Sequence, residues 1–176
     1  LPQIAHFFLA ARQFCPPAHV VLDPFGGTGT VPLEAILAGH VAYYADKNPL
    51  ARLIAATKTS PISSESLRHS LETLRGMYRR RRAPRYRPDV INIDHWYHAD
   101  TAKWLAVLRE CVEACVVPEV TNLLLVTFSA VARKASRADS RLSVPVRDRS
   151  LGERALAKDD VWRLFEDQYQ ANWRRM

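Results

Sequence analysis

The chain has 176 residues, 48% of them apolar, which suits one packed domain or a portion of a larger one. Its net charge of +7 and pI of about 9.7 favour a polyanionic partner. No apolar run is long enough to span a membrane and there is no signal-peptide pattern. Cys15, Cys111 and Cys115 are odd in number and lack metal-type spacing, which points to reduced thiols in a cytoplasmic protein. The one close histidine pair, His95 and His98, has no further ligand set near it, and no metal is expected.

Taken in chain order, Leu1 to Phe14 has an apolar face of Ile4, Phe7, Phe8 and Ala11 that predicts a helix laid on a sheet. Val20-Val21-Leu22 reads as a short buried parallel strand that ends at Asp23-Pro24. Gly26, Gly27 and Gly29 then form a turn whose backbone can approach a ligand without Cβ clashes. A helix follows, with Thr30 as candidate cap, Pro32 in its first turn, Val31, Ile36 and Leu37 along it, and Gly39 just past its end. A second strand, Val41 to Ala45, closes on Asp46. Strand, glycine loop, helix, strand and acid make a nucleotide half-site of a doubly wound sheet. Asn48 and Pro49 read as cap and first residue of the next helix, which runs to Thr57 with Leu53 and Ile54 inward.

From Ser63 the pattern becomes helical. Leu67, Leu71, Leu74 and Tyr78 recur at helical spacing and lead into Arg79, Arg80, Arg81 and Arg82, then Arg85 and Arg87. Gly76 weakens that helix locally. The run is acid-free from Arg75 through Pro88, which favours phosphate contact, with Tyr78 and Tyr86 available to stack on bases, over a solvated helix end. Ile91 and Ile93 alternate like a strand, while Trp96 and Tyr97 suit either a core plug or a base clamp. Trp104, Leu108, Cys111 and Cys115 form a helical stripe capped by Asp100 or Thr101. Glu119 to Ala135 reads as a buried helix ending in Arg133-Lys134. Ser136 to Ser150 reads as a basic extended loop with Arg137, Arg141, Arg147 and Arg149. Asp159 is expected to cap a final helix, to Trp173, with Val161, Trp162, Phe165 and Tyr169 inward.

The glycine loop admits three chemistries, and its residues separate them. A Walker loop needs a lysine after the glycines, and none follows. A dinucleotide fingerprint started at Gly27 and Gly29 would place its third glycine on Pro32. What remains, Asp23-Pro24-Phe25-Gly26-Gly27-Thr28-Gly29-Thr30, resembles motif I of class I S-adenosylmethionine methyltransferases, in the form found in amino-methylating DNA methyltransferases. Asp46-Lys47-Asn48-Pro49-Leu50 resembles their second motif. The resemblance implies that these residues hold S-adenosylmethionine, with Asp46 accepting the ribose hydroxyls and the loop and helix N-terminus facing the methionine end. Asn48 carries two readings, cofactor contact and helix cap. More loosely, Ser136-Arg137-Ala138-Asp139 and the Trp96-Tyr97 pair resemble segments of the front portion of certain site-specific DNA methyltransferases.

One expected motif is absent. Enzymes of this kind carry Asp/Ser/Asn-Pro-Pro-Tyr/Phe after the fourth strand, where its polar groups hold the target amine and its ring stacks on the flipped base. The nearest sequences here, Cys15-Pro16-Pro17-Ala18 and Thr59-Ser60-Pro61-Ile62, lack the aromatic and follow no strand. No proline precedes a cysteine, so the nucleophile of a cytosine-C5 enzyme is missing too. No catalytic residue is therefore assigned.

The resulting expectation is an incomplete doubly wound, Rossmann-like α/β sheet with a large helical insertion. Residues 1–60 would form the cofactor-binding βαβ core, and residues 61–176 a basic helical region contacting DNA and a partner. A second polypeptide, or a further segment of a longer one, would complete the sheet and active site, meeting the open edge of the first strand and the apolar face of the last helix. RNA or other methylation, or a non-catalytic nucleic-acid-binding subunit stabilised by the cofactor, are the alternatives.

Overall fold

The computed structural model describes residues 2–115, 118–142, 144–148, 150 and 155–175. The chain is mixed α/β and divides into two compact units, residues 1–62 and 63–176.

The first unit contains α1 (Pro2–Ala10), β1 (Val20–Asp23), α2 (Thr30–Leu37), β2 (Val41–Tyr44) and α3 (Pro49–Thr59). β1 and β2 pair in parallel, with Val20 opposite Val41 and Asp23 opposite Tyr44. Two further backbone bonds extend the ladder, Val41 N–H to the His19 carbonyl and Ala45 N–H to the Asp23 carbonyl, both at 3.0 Å. α2 packs against both strands and against α3. Gly39, at φ +82°, supplies the left-handed residue that ends α2 and lets the chain turn into β2.

Several sequence expectations are corrected here. The strands are not buried on both faces: Val20, Leu22, Val41 and Tyr43 stand side by side, 66%, 68%, 54% and 62% exposed. Alternation along paired strands puts these four on one face, opposite the side that α2 covers. α1 lies on α2 rather than on the sheet, and Ile4, Phe7 and Phe8 are exposed, the two rings clustered with Phe14. His40 fixes the start of this arrangement. Its Nδ1 accepts the His19 N–H at 3.3 Å, so its Nε2–H donates to the Leu9 carbonyl at 3.0 Å. Thr30 does not cap α2, because the cap position is Gly29, held left-handed at φ +81° with no side chain to donate or accept. On α3 the buried residues are Ala51, Ala55 and Thr57, with Leu53 and Ile54 half-buried.

The second unit contains α4 (Ser64–Arg80), α5 (Ile93–Trp96), α6 (Ala99–Glu113), α7 (Pro118–Ala135) and α8 (Lys158–Trp173). α4, α6, α7 and α8 pack on one another around Leu74, Tyr78, Leu108, Leu123, Leu124, Val161, Phe165 and Tyr169, all almost fully buried. Burying each such side chain contributes about 1.5–3 kcal/mol before entropy is counted. Ser63 caps α4 by accepting the Ser66 N–H at 3.0 Å. The helix runs straight through Gly76, where an added methyl would meet only the end of Arg80 at 3.9 Å.

Five assignments change in this unit. Residues Ile93 to Trp96 are a short helix and Ile91 is exposed, so the alternation there is not a strand. α6 is capped by His98, whose Nδ1 accepts the Asp100 N–H at 3.3 Å. α8 begins after Ala157, whose N–H is accepted by Asp160 rather than by Asp159. The apolar face of α8 is spent inside this unit, since Val161, Trp162, Phe165 and Tyr169 are all buried. It is therefore not a free surface for a second polypeptide. The basic loop after α7 is not simply extended: Ala138 and Arg147 form an antiparallel bridge, and Asp139 clamps Arg141 through bonds of 2.9 and 2.7 Å. Arg149 lies outside the described residues.

Candidate functional site

The first unit brings the glycine loop and the acid after β2 together. Asp46 Oδ2 accepts the Gly27 N–H at 2.9 Å, and Oδ1 accepts the Asn48 N–H at 2.7 Å. Each carboxylate oxygen retains lone-pair capacity for a second donor. Backbone bonds tie the loop further: Gly26 N–H to the Ala45 carbonyl at 2.9 Å, and Gly29 N–H to the Gly26 carbonyl at 2.8 Å. Asp23 turns the chain out of β1 by accepting the Phe25 N–H at 3.1 Å. Phe25 is 89% exposed at the head of the loop, and Pro24, Thr28 and Lys47 are exposed around it.

The glycines have separate reasons. A methyl group on Gly29 would lie 2.7 Å from Ala55 Cβ and 2.8 Å from Ala55 Cα, so this glycine permits close packing of α3. A methyl group on Gly26 would meet Tyr44 Cβ at 3.0 Å. Gly27, at φ +50°, has nothing within 4 Å of such a position and faces open space. The expectation that Gly29 clears room for a ligand is thus corrected: the space it clears is filled by Ala55. Only Gly27 of the three faces a volume a ligand can enter.

α2 starts without a side-chain cap, and Pro32 has no N–H, so Thr30 and Val31 present the uncapped first-turn N–H groups. A helix N-terminus of this kind attracts an anionic group. Asn48 is a helix cap: its Oδ1 accepts Leu50 N–H at 2.9 Å and Ala51 N–H at 3.4 Å. Lys58, which sequence reading passed over, reaches from the last turn of α3 to the Thr28 carbonyl at 2.9 Å and braces the loop. Its placement one residue before the end of α3 gave no hint of a distant carbonyl.

The arginine run belongs to the second unit and is less uniform than its composition. Arg79, Arg80, Arg82 and Arg85 are exposed. Arg81 Nη1 lies 3.5 Å from Oε2 of buried Glu110, a charge contact without hydrogen-bond geometry, and Arg87 bonds Asp94 Oδ2 at 2.7 Å. Glu110 Oε1 also accepts the Arg85 N–H at 2.5 Å, pinning the loop to α6. An acid inside the mostly apolar stretch from Leu105 to Val112 of α6 was the sequence signal for this anchor. Tyr78 is unavailable for stacking on bases: it is 1% exposed, its hydroxyl donates to the Lys158 carbonyl at 3.2 Å, and burial pushes its phenol well up. Trp96 and Tyr97 are half-buried, with the Tyr97 hydroxyl donating to the Ala132 carbonyl at 3.1 Å. Among the described residues no cluster of His, Cys, Asp and Glu suits a metal. No helix is long and apolar enough to cross a membrane among those residues.

With this geometry in hand, the sequence proves similar to that of a methyltransferase. The relative is the Type II methyltransferase M.MvaI of Kocuria varians, 26% identical over 145 residues, covering 77% of this chain and 32% of that protein. The chain thus spans about a third of the length of the relative it matches. No protein-family profile matches the chain. No solved structure matches it.

Proposed function

We propose that this chain is the S-adenosylmethionine-binding portion of a DNA methyltransferase that modifies an exocyclic amine of adenine or cytosine. The observation that carries the reading is the Asp46 carboxylate, bonded to the N–H of Gly27 where the glycine loop opens to free space. The similarity to a type II methyltransferase supports the same reading. Asp46 would accept the ribose hydroxyls, Gly27 would let the backbone approach, and Phe25, Thr30 and Lys47 would border the ligand. The uncapped start of α2 would face the carboxylate of the methionine end. Bound S-adenosylmethionine supplies an electrophilic methyl carbon, which an amine takes by direct displacement.

The residues that would hold and orient that amine belong to a second polypeptide or a further segment of a longer one, which also covers the bare sheet face of Val20, Leu22, Val41 and Tyr43. Arg79, Arg80, Arg82 and Arg85 are the cations left for DNA phosphates, because Arg81 and Arg87 already face carboxylates.

Calorimetric titration with S-adenosylmethionine tests the cofactor site. Asp46→Ala is expected to weaken binding by about tenfold to a hundredfold through the lost charge-assisted bonds. Unchanged affinity in a folded Asp46→Ala protein would remove this residue from the site.

A further inference from the structure

A cleft of about 350 Å³ lies in the second unit between the 84–88 loop and the first turns of α6. Ala99, Ala102 and Ala106 line it from α6, and Tyr86, Arg87 and Lys103 border it. Residues three and four apart share one helix face, so the three alanines make an apolar strip, exposed at Ala99, half-buried at Ala102 and buried at Ala106. Tyr86 is held to α6 at both ends. Glu110 Oε1 accepts its backbone N–H at 3.4 Å, and its hydroxyl donates to Glu113 Oε2 at 3.2 Å. Arg87 is set by Asp94 at 2.7 Å. The ring and the cation are therefore placed before any ligand arrives, which lowers the ordering cost of binding.

The charge at the cleft is uneven. Asp94 offsets Arg87, which leaves Arg85 and Lys103 as the surplus cations of the lining. An apolar floor, an exposed aromatic ring and rim cations suit a planar ring that carries an anionic group, which is the chemistry of a nucleotide. The volume sits at the low end for ligand pockets, enough for one nucleotide but not for a duplex.

We propose that this cleft takes a single unpaired nucleotide of a nucleic-acid strand, its base against Tyr86 and the alanine strip, its phosphate between Arg85 and Lys103. This rests on the reading that the chain contacts nucleic acid, and goes beyond it by assigning a seat for an unstacked base in the helical unit.

The test uses the full chain and fluorescence anisotropy on a labelled mixed-sequence single strand and on the matched blunt duplex. Tyr86→Ala and Ala102→Leu, the second filling the floor, are each expected to weaken single-strand binding about tenfold or more. Duplex binding should change by less than about threefold. Circular-dichroism melts accompany both variants, and if Ala102→Leu melts unlike the parent, Tyr86→Ala alone decides. No loss on either substrate overturns the proposal, and so does an equal loss on both, which would make the cleft part of a general phosphate surface. A parent protein that binds neither oligonucleotide overturns the nucleic-acid reading together with the cleft. Titration of the same sample with S-adenosylmethionine reports on the cofactor site separately.

Discussion

Gly27 and Gly29 sit two positions apart and answer to different constraints. Gly29→Ala forces a methyl onto Ala55 at 2.7 Å while φ is +81°, and is expected to cost the first unit about 2 kcal/mol or more. Gly27→Ala meets no atom within 4 Å and costs only the left-handed backbone, about 1 kcal/mol. Thermal melts should separate the two, and a Gly27→Ala protein that melts near the parent yet binds S-adenosylmethionine more weakly would mark Gly27 as the point of backbone approach. Asp139 gives a pH prediction. The bonds from Arg141 hold its carboxyl down at about 2, below the ordinary 3.8. A depressed folded pKa stabilises above the unfolded value, so the contribution is present above about pH 4 and is lost as pH falls toward about 2. Asp139→Asn should flatten that part of the stability curve in acid titrations; a curve with unchanged slope would show that the Asp139–Arg141 clamp does not couple to folding.

At the level of elements, the segment from Arg79 to Arg87 is the end of α4 and a loop fastened to α6 by Glu110, with its remaining cations displayed outward. Replacing Arg79, Arg80, Arg82 and Arg85 together should flatten the salt dependence of DNA binding by about 3–4 units of log–log slope. The loss should be nearly equal across DNA sequences, because phosphate contacts carry no base code. An unchanged slope in salt titrations would return these side chains to an ordinary solvated surface. Glu110→Ala acts differently. It strands the Arg85 N–H and leaves Arg81 without its charge partner, at an expected cost of about 3 kcal/mol to the second unit, read by denaturant unfolding.

For the whole molecule, the two units are unequally furnished. Among the described residues, the buried apolar side chains of the first unit are Pro32, Ala35, Ala51 and Ala55, whereas the second buries Leu74, Tyr78, Leu108, Phe165 and Tyr169 among others. The large apolar side chains of the first unit, Phe7, Phe8, Val20, Leu22 and Tyr43 among them, face outward. A unit of this size with an alanine core and a two-stranded sheet is marginal by itself. The purified chain is therefore expected to transfer no methyl group from labelled S-adenosylmethionine to mixed-sequence DNA until a partner carrying the Pro-Pro-aromatic motif is added. Robust transfer by the chain alone would show that a residue within it contacts the target amine, and would end the two-part reading.

The local signals in the sequence were sufficient for what is decided locally. Gly39 ended α2, Asn48 and Pro49 started α3, and the spacing of Leu67, Leu71, Leu74 and Tyr78 marked the buried face of α4, because caps and periodicity act within a turn or two of chain. The residues gathered around Gly27 and Asp46 were legible for the same reason, as one short crossover places them together. Tertiary structure decided the rest. Tyr78 was spent in the core rather than on bases, α8 turned its apolar face inward, Gly29 made room for Ala55, and Glu110 and Asp94 claimed Arg81 and Arg87. Each of these depends on a neighbour beyond the reach of a single helical turn or cap, and neither periodicity nor composition carries the distance at which a side chain meets its partner.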